Sequence, residues 1–199
     1  MQGSNNGQTF VFFGIVGSGK GTQIKLLQEF LKAKDGMGQV DAYPGSEYRK
    51  LAASGNYTGE LLKDSLTRGH LQPDFLTDAL VTNILIPNMA PEKHLIFDGY
   101  PRTLLQSENL EEMVDFYLRK DVKVIYIEVG KEEAMKRNLQ RGRADDTPAG
   151  IEKRFDEYMT KVIPAMDYFK NRKNYTMYTV NGEQGMEDVH KDIIKALGY

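Results

Sequence analysis

The chain contains no cysteine among its 199 residues, so disulfide bonds, thiolate chemistry and cysteine-bound zinc are all excluded. An excess of charge of one sign is also missing, because 26 Lys and Arg residues nearly balance 28 Asp and Glu residues. A formal net charge of −2 argues against nucleic acid or an anionic membrane surface as the main partner. The lack of cysteine allows a reducing compartment, and we expect a cytoplasmic protein.

Long apolar runs are absent as well, and no stretch approaches the length of a membrane span. Residues 1–8 are polar and lack both a basic start and an apolar segment, so we expect a short polar tail, not a signal peptide. Hydrophobic residues make up 40% of the composition, which is enough for a substantial core. We therefore expect a single domain over residues 1–199 that has no membrane partner.

Apolar strand patterns alternate with amphipathic helix patterns along the chain. Strands are predicted at residues 9–14, 39–43, 94–98, 122–128 and 175–180. The alternation predicts an α/β fold of three layers, in which a five-stranded parallel sheet is covered by helices on both faces. Pro164 interrupts a helical pattern that begins near Ile151, so a kink or a break is expected there.

A glycine-rich segment, GIVGSGKGT at residues 14–22, lies between the first predicted strand and an amphipathic helix. In that place successive backbone N–H groups and a helix N-terminus point at one small volume, as in sites that bind phosphate. Lys20 adds a flexible positive charge for the β- and γ-phosphates, and the Thr22 hydroxyl can reach a magnesium ion. The segment therefore predicts a P-loop that binds a nucleotide, with Mg²⁺ as cofactor.

A second motif, FDGYPRT at residues 97–103, follows the third predicted strand. Asp98 falls at the carboxyl end of that strand, where ligands of open α/β sheets bind and where a carboxylate can organise the water shell of Mg²⁺. The turn after it directs Arg102 into the same crevice, where a planar guanidinium can grip a phosphate with two hydrogen bonds. The predicted metal site is Thr22 and Asp98, largely through water.

Together the two motifs resemble the signatures of the adenylate kinase family of nucleoside monophosphate kinases. The family patterns are G-x-P-G-x-G-K-G-T and F-D-G-[FY]-P-R-T, and the chain departs from them only at Val16, where the family usually has proline. The resemblance extends from Phe10 to Leu197 and implies a P-loop NTPase fold with two small insertions. It implies a nucleoside monophosphate-binding segment at 43–74, a short lid at 142–151 and a core of 9–42, 75–141 and 152–199.

The resemblance is weakest in the segment that would bind the nucleoside monophosphate. Arg49 falls where the family has a phosphate-gripping arginine, but Pro44 replaces the threonine that touches the acceptor base. Residues 43–46, YPGS, are closer to the loop of thymidylate kinases. Gln106 matches the family's adenine-reading glutamine, whose amide can pair with an adenine edge as donor and acceptor. The implied monophosphate-binding residues are Pro44, Arg49, His70, Leu71, Gln72, Gly99, Tyr100, Arg102, Gln106, Arg143 and Arg154.

The predicted lid is surrounded by arginines. Arg137 and Arg141 lie four residues apart, so on a helix they share one face and repel each other unless an anion lies between them. In the family the first arginine stacks on the donor base, and the others clamp the donor and transferred phosphates. The implied ATP-binding residues are Gly17, Ser18, Gly19, Lys20, Gly21, Thr22, Arg137, Arg141 and Gln184. The implied catalytic residues are Lys20, Arg102, Arg141, Arg143 and Arg154.

The resemblance implies the adenylate kinase reaction, ATP + AMP ⇌ 2 ADP, by in-line transfer of the γ-phosphoryl group without a covalent intermediate. A UMP/CMP or dTMP kinase of the same superfamily is the alternative that residues 44–46 raise. A nucleotide-binding switch without turnover is a third reading, although every charged position assigned to transfer is filled. We expect ATP and a nucleoside monophosphate as the ligands of a monomer that does not bind nucleic acid.

Overall fold

The structure, a computed structural model, describes residues 7–141 and 147–199. Its centre is a five-stranded sheet in the order β2-β3-β1-β4-β5, in which every neighbouring pair is parallel. The strands are β1 (Thr9–Phe13), β2 (Gln39–Ala42), β3 (His94–Asp98), β4 (Val122–Glu128) and β5 (Tyr175–Asn181). Their bounds agree with the predicted strands to within one residue at each end, and the predicted α/β fold is confirmed.

Helices cover both faces of the sheet and also form a segment inserted after β2. They are α1 (Lys20–Asp35), α2 (Pro44–Ala52), α3 (Tyr57–Thr67), α4 (Asp74–Asn88), α5 (Leu104–Phe116), α6 (Lys131–Arg141), α7 (Pro148–Glu157), α8 (Ile163–Asp167) and α9 (Met186–Ala196). Both α2 and α3 lie in the predicted monophosphate-binding segment. Within the described residues, none of the helices combines the length and the apolar character that crossing a membrane requires.

The central strand β1 is buried on both faces, which explains its uninterrupted apolar sequence. Val11 and Phe13 belong to one apolar core, to which α4 and α5 contribute. Phe10 and Phe12 belong to the other, to which α1 and α9 contribute. Strand β1 pairs with β3 in parallel, with Phe12 in register with Asp98. The carboxyl ends of the two strands therefore lie side by side.

The expected interruption at Pro164 takes the form of a π-helical turn, Tyr158–Val162, between α7 and α8. In this turn the Ile163 N–H donates to the Tyr158 carbonyl, five residues earlier. Pro164 is at the start of α8, where its missing N–H is tolerated. The chain therefore stays helical from 148 to 167 and does not break. Of the predicted lid, residues 142–146 lie outside the described residues.

Candidate active site

A cleft of about 1180 Å³ opens at the carboxyl ends of β1 and β3. Its floor is the segment between β1 and α1, one wall is formed by α2 and α3, and the other by α6 and α7. Ligands of open parallel sheets bind at this edge, where the strand order reverses. The predicted site residues that line it are Gly17, Gly19, Lys20, Gly21, Thr22, Pro44, Arg49, His70, Leu71, Gln72, Asp98, Gly99, Arg102, Gln106, Arg137, Arg141 and Arg154.

The phosphate loop between β1 and α1 turns on glycines with positive φ. Gly17 has φ 91° and Gly19 has φ 88°, a conformation that other residues rarely adopt. A Cβ at Gly17 would lie 2.5 Å from the carbonyl oxygen of Ala134 in α6. At Gly19 and Gly21, by contrast, a Cβ would meet no atom within 4 Å among the described residues. Gly17 therefore allows α6 to approach the loop, and Gly19 and Gly21 border the open space left for a ligand.

Lys20 is the first residue of α1 and is half-buried in the cleft. Its ammonium donates to two carbonyl groups of its own loop, one of them that of Ile15 at 3.2 Å. Desolvation lowers the pKa of Lys20 to about 8, Asp98 opposes this shift, and Arg102 and Arg141 add to it. Charged groups from separate parts of the chain thus act on one another across the cleft.

Two carboxylates lie at the carboxyl ends of neighbouring strands, beside the phosphate loop. Asp98 ends β3, and Asp41 is the penultimate residue of the neighbouring β2. Desolvation raises the pKa of Asp41 to about 6, and the Asp98 carboxylate adds to the rise. The Thr22 hydroxyl is exposed at the start of α1. These oxygens fit Mg²⁺, which usually takes one or two carboxylates together with water and substrate phosphates.

The turn after β3 is held by the buried Gln106 side chain. The Gln106 amide oxygen accepts the backbone N–H of Arg102 at 2.8 Å, and the amide nitrogen donates to Asp74 at 2.8 Å. The Arg102 guanidinium is exposed, and its Nε donates to the Gly99 carbonyl at 2.8 Å. A glutamine amide has two N–H donors and two acceptor lone pairs, and the hydrogen bonds of Gln106 to Arg102 and Asp74 use one of each. The same amide therefore holds the turn and lines the cleft.

The segment after α3 brings the chain back to the cleft and meets α7. Gly69 has φ 76°, and a Cβ there would lie 2.6 Å from the Gly150 carbonyl oxygen and 3.3 Å from Cγ of Arg154. One residue on, the His70 Nδ1 lies 3.7 Å from a carboxylate oxygen of Glu157. These contacts bring the helix that carries Arg154 against the wall formed by the predicted monophosphate-binding segment.

Three of the predicted lid arginines lie in the described residues, and all three line the cleft. Arg137 and Arg141 are one turn apart on α6, and Arg154 is on α7. Nη1 of Arg137 donates to the carbonyl oxygen of Gly182 at 2.9 Å, which directs this guanidinium toward the end of β5. Arg143 lies outside the described residues, so its predicted role stays a prediction.

Comparison with known proteins agrees with this arrangement. A sequence model of one family, described as adenylate kinase, matches residues 12–174. The chain is 34% identical over 192 residues to an adenylate kinase of Bacteroides thetaiotaomicron, which covers 94% of this chain and 96% of the relative. It is 32% identical over 196 residues to an adenylate kinase of Thermus thermophilus, which covers 96% and 98%. The chain belongs to the adenylate kinase family.

Membership of the adenylate kinase family confirms the resemblance that the two motifs carried, although not every predicted side chain reaches the cleft. Ser18 and Tyr100 are buried, and the Tyr100 hydroxyl donates to Asp78 at 2.8 Å. The Gln184 amide donates to the carbonyl oxygen of Asn181 at 3.1 Å. Of the predicted residues that the structure describes, these three have side chains that do not line the cleft, and their contacts with nucleotide stay predictions.

Motif analysis missed several polar residues that line the cleft, among them Asp41 and Tyr43. Asp41 lies in β2 near its carboxyl end, and Tyr43 directly follows the strand. The signal that could have found them is position, because side chains at the carboxyl end of a parallel strand face the ligand crevice. The family signatures did not reveal them, because Asp41 lies outside both motifs and Tyr43 falls in the stretch where the chain departs from the family pattern.

Proposed function

We propose that this member of the adenylate kinase family catalyses ATP + AMP ⇌ 2 ADP, with ATP bound together with Mg²⁺. The observation that carries the proposal is the convergence of positive charge, because Lys20, Arg102 and Arg141 all line one cleft. Cations that line one cleft repel one another, and anions placed between them stabilise them. Two bound nucleotides supply those anions as phosphate groups, and bidentate arginines suit them.

The donor nucleotide occupies the side of the cleft formed by the phosphate loop and α6. Backbone N–H groups at the start of α1, together with Lys20, hold the β- and γ-phosphates. Thr22 and Asp98 hold Mg²⁺, largely through water, and the bound ion supplies positive charge to the transferred phosphoryl group. Arg137 stacks on the donor base, and Arg141 contacts the donor phosphates.

The acceptor phosphate lies between Arg49 and Arg102, on the opposite side of the cleft. Arg143 and Arg154 complete the set of positive charges when the lid closes. An acceptor phosphate is a competent nucleophile near neutral pH, so the reaction needs no covalent intermediate and no dedicated general base. Catalysis then consists of in-line positioning and charge stabilisation. Closure also excludes water, which would otherwise accept the phosphoryl group.

The choice of AMP as acceptor rests on Gln106. Its remaining N–H and lone pair can pair with an adenine edge, which presents a donor and an acceptor. Pro44 has neither a hydroxyl nor an N–H, so it adds no polar contact to the base. We therefore expect AMP to be preferred, with a looser preference than in relatives that have threonine at this position.

We propose that this enzyme works as a monomer in the cytoplasm. One chain supplies residues for both proposed nucleotide positions, which is compatible with a monomer. ATP and AMP are metabolites of the cytoplasm, where the equilibrium between them and ADP is useful. Gel filtration of the purified protein with light scattering would measure the mass, and a dimer would contradict this part of the proposal.

The test is a coupled assay of ADP formation with ATP and AMP, CMP, UMP, dTMP or GMP. We expect the highest kcat/KM with AMP, and we expect Gln106→Leu to lower AMP use several-fold more than UMP or CMP use, for a lost contact of about 1 kcal/mol. Gln106 also binds Arg102 and Asp74, so the free energy of unfolding is measured in parallel. Ser107→Ala is the matched control, because it removes a buried hydrogen bond to Ala165 outside the cleft.

The outcomes separate the levels of the proposal. If dTMP or UMP is the best acceptor and Gln106→Leu leaves AMP kinetics unchanged, the assignment of AMP is wrong and that of a monophosphate kinase stands. If Ser107→Ala shifts acceptor preference as much as Gln106→Leu does, the effect comes from stability and not from the base. If no acceptor yields ADP, the proposed reaction is wrong.

A further inference from the structure

The YPGS stretch at residues 43–46, where the chain departs from the family pattern, forms a defined structure at the edge of the cleft. Tyr43 follows β2, and Pro44 begins α2. The Ser46 hydroxyl donates to the Tyr43 carbonyl at 2.8 Å, and the Ser46 N–H donates to the same oxygen at 3.3 Å. These two hydrogen bonds fix the backbone at the start of α2, from which the Tyr43 side chain reaches the cleft.

Gly45 makes room for the Tyr43 ring. A Cβ at Gly45 would lie 2.5 Å from Cε2, 2.7 Å from Cζ and 2.9 Å from the hydroxyl oxygen of Tyr43. The ring therefore lies directly over the Gly45 backbone, and any larger residue at position 45 would displace it. Packing of the Tyr43 ring therefore explains the glycine at position 45, which the sequence pattern alone did not explain.

The Tyr43 ring holds the guanidinium of Arg49. Nη2 of Arg49 donates to the Tyr43 hydroxyl oxygen at 3.1 Å, and the guanidinium carbon lies 5.3 Å from the ring centroid. The hydroxyl accepts this hydrogen bond, so its own O–H can still donate. Arg49 has five N–H donors and keeps others for a ligand. Both side chains line the cleft, so an anion bound by Arg49 would lie within reach of the phenol.

We propose that Tyr43 and Arg49 form one recognition unit for the phosphate of the acceptor nucleotide. In this unit Tyr43 positions the Arg49 guanidinium and donates its own O–H to a phosphate oxygen. The inference rests on the proposed function, because that function supplies the acceptor phosphate. A contact with the phosphate is common to all nucleoside monophosphates, so the unit strengthens binding of every acceptor without selecting the base.

The first experiment compares Tyr43→Phe with wild type, and Tyr57→Phe is the matched control. Tyr57 is an exposed tyrosine on α3 of the same wall and does not line the cleft. Tyr43→Phe removes only the hydroxyl, and loss of a hydrogen bond to a charged group should lower kcat/KM for AMP about tenfold. We expect the loss mainly as a higher KM for AMP, with an unchanged KM for ATP. Tyr57→Phe should behave as wild type.

Other acceptors separate a phosphate role from a base role. If Tyr43 contacts the phosphate, Tyr43→Phe lowers kcat/KM by the same factor for AMP and for every other nucleoside monophosphate that the wild type uses. If the factor differs between bases, Tyr43 reads the base and the proposal is wrong. An equal loss for AMP and ATP would also contradict it, because a merely structural residue would affect both substrates.

Two double-mutant cycles test the positioning. In an Arg49→Ala background, Tyr43→Phe should cost less than in wild type, since its partner is gone. Gly45→Ala should raise the KM for AMP by displacing the ring, and it should add no further loss in a Tyr43→Ala background. Alanine favours a helix more than glycine does, so a loss from Gly45→Ala is not explained by a weaker α2. Additive effects in both cycles would overturn the proposal.

Equilibrium binding distinguishes failure of this inference from failure of the proposed function. AMP and adenosine are titrated separately into wild type and into Tyr43→Phe and followed by NMR. We expect the Kd for AMP to rise about tenfold and the Kd for adenosine to stay unchanged, as for one lost phosphate contact. This result supports the unit even if no ADP is formed. Equal changes for both ligands, or no change, overturn the unit even if the kinase reaction is observed.

Discussion

At the scale of single residues, we expect the protonation of Lys20 to depend on whether an anion is bound in the cleft. Its ammonium donates to carbonyl groups of its own loop, and desolvation lowers its pKa to about 8. A bound phosphate favours the charged form, so it raises the pKa again. Nucleotide binding and protonation of Lys20 are therefore linked, and each favours the other.

We predict that ATP binding takes up protons at about pH 8.5, which is above the lowered pKa of Lys20, because a large share of these side chains is then neutral before ATP binds. The terminal phosphate of ATP is already ionised at this pH and contributes little to the uptake. Affinity for ATP should fall as pH rises through about 8, because binding then requires a proton. Isothermal titration in two buffers with different ionisation enthalpies measures the number of protons.

Two lysine substitutions on α1 show whether this proton belongs to Lys20. Lys20→Met should abolish the uptake at pH 8.5. Lys32→Met, which changes an exposed lysine in the last turn of the same helix, should leave it unchanged. If both variants take up protons as wild type does, another group titrates and the link to Lys20 is wrong.

At the scale of elements, α6 is docked onto the phosphate loop. The Asn138 side chain is buried between them, and its Nδ2 donates to the Val16 carbonyl at 2.8 Å. On the loop side, Gly17 lets the Ala134 carbonyl approach closely. Arg137 is the neighbour of Asn138 on this helix. Because α6 is joined to the loop in this way, the arginines that it carries are placed relative to the phosphate loop.

Arg137 on α6 and Arg154 on α7 should make different contributions to the kinetics. Arg137 on α6 is directed toward the end of β5, so Arg137→Ala should mainly raise the KM for ATP. Arg154 on α7 faces the wall near Gly69, and Arg154→Ala should lower kcat by about 10²–10³-fold as the loss of one contact to migrating charge. Steady-state kinetics with each substrate varied in turn measure both.

Lys136→Ala is the control for these substitutions. Lys136 is an exposed cation on α6, with Nζ 3.8 Å from a carboxylate oxygen of Glu133. We expect its removal to change neither kcat nor the KM for ATP more than about twofold, since exposed ion pairs contribute little. If Arg137→Ala lowers kcat as strongly as Arg154→Ala, the proposed division of roles between α6 and α7 is wrong.

At the scale of the whole molecule, buried Arg119 joins three parts of the chain that are distant in sequence. Its guanidinium donates to the carbonyl oxygens of Gly7 at 2.7 Å, Ala90 at 2.9 Å and Lys93 at 2.8 Å. These carbonyl groups lie before β1 and between α4 and β3, and Arg119 itself lies between α5 and β4. One side chain therefore links the chain segments at the amino ends of the strands, opposite the cleft.

We predict that Arg119→Met destabilises the protein without changing its catalysis. Loss of a charged donor from several buried carbonyl groups should lower the free energy of unfolding by about 3 kcal/mol. For a chain of this size that lowers the Tm by about 6–12 °C. The kcat and both KM values at 25 °C should stay unchanged, because Arg119 is remote from the cleft. Calorimetry and the coupled assay measure the two properties.

Lys120→Met is the matched substitution, since Lys120 is the exposed neighbour of Arg119 and should tolerate the change. An unaltered Tm in Arg119→Met would show that the carbonyl groups find other partners. A raised KM for either nucleotide would show that the end of the sheet opposite the cleft is coupled to it, contrary to the prediction.

The sequence by itself determined the sheet, the phosphate loop and the family. The run TFVFF predicts a strand buried on both faces, and the structure confirms it as β1. The motifs at 14–22 and 97–103 predicted the family, which is likewise confirmed. These features could be predicted because apolar burial and backbone conformation leave patterns between residues that are near in sequence.

Only the tertiary structure decided which side chains meet. Gly17 lies against Ala134, the Gln106 amide is shared with Asp74, and Tyr43 packs over Gly45. The first two pairs join residues that are far apart in the chain, and the third depends on a ring orientation that no pattern encodes. A buried polar group is stabilised by the partner that packing brings to it. The identity of that partner is a property of the folded chain, and so is the chemistry of the cleft.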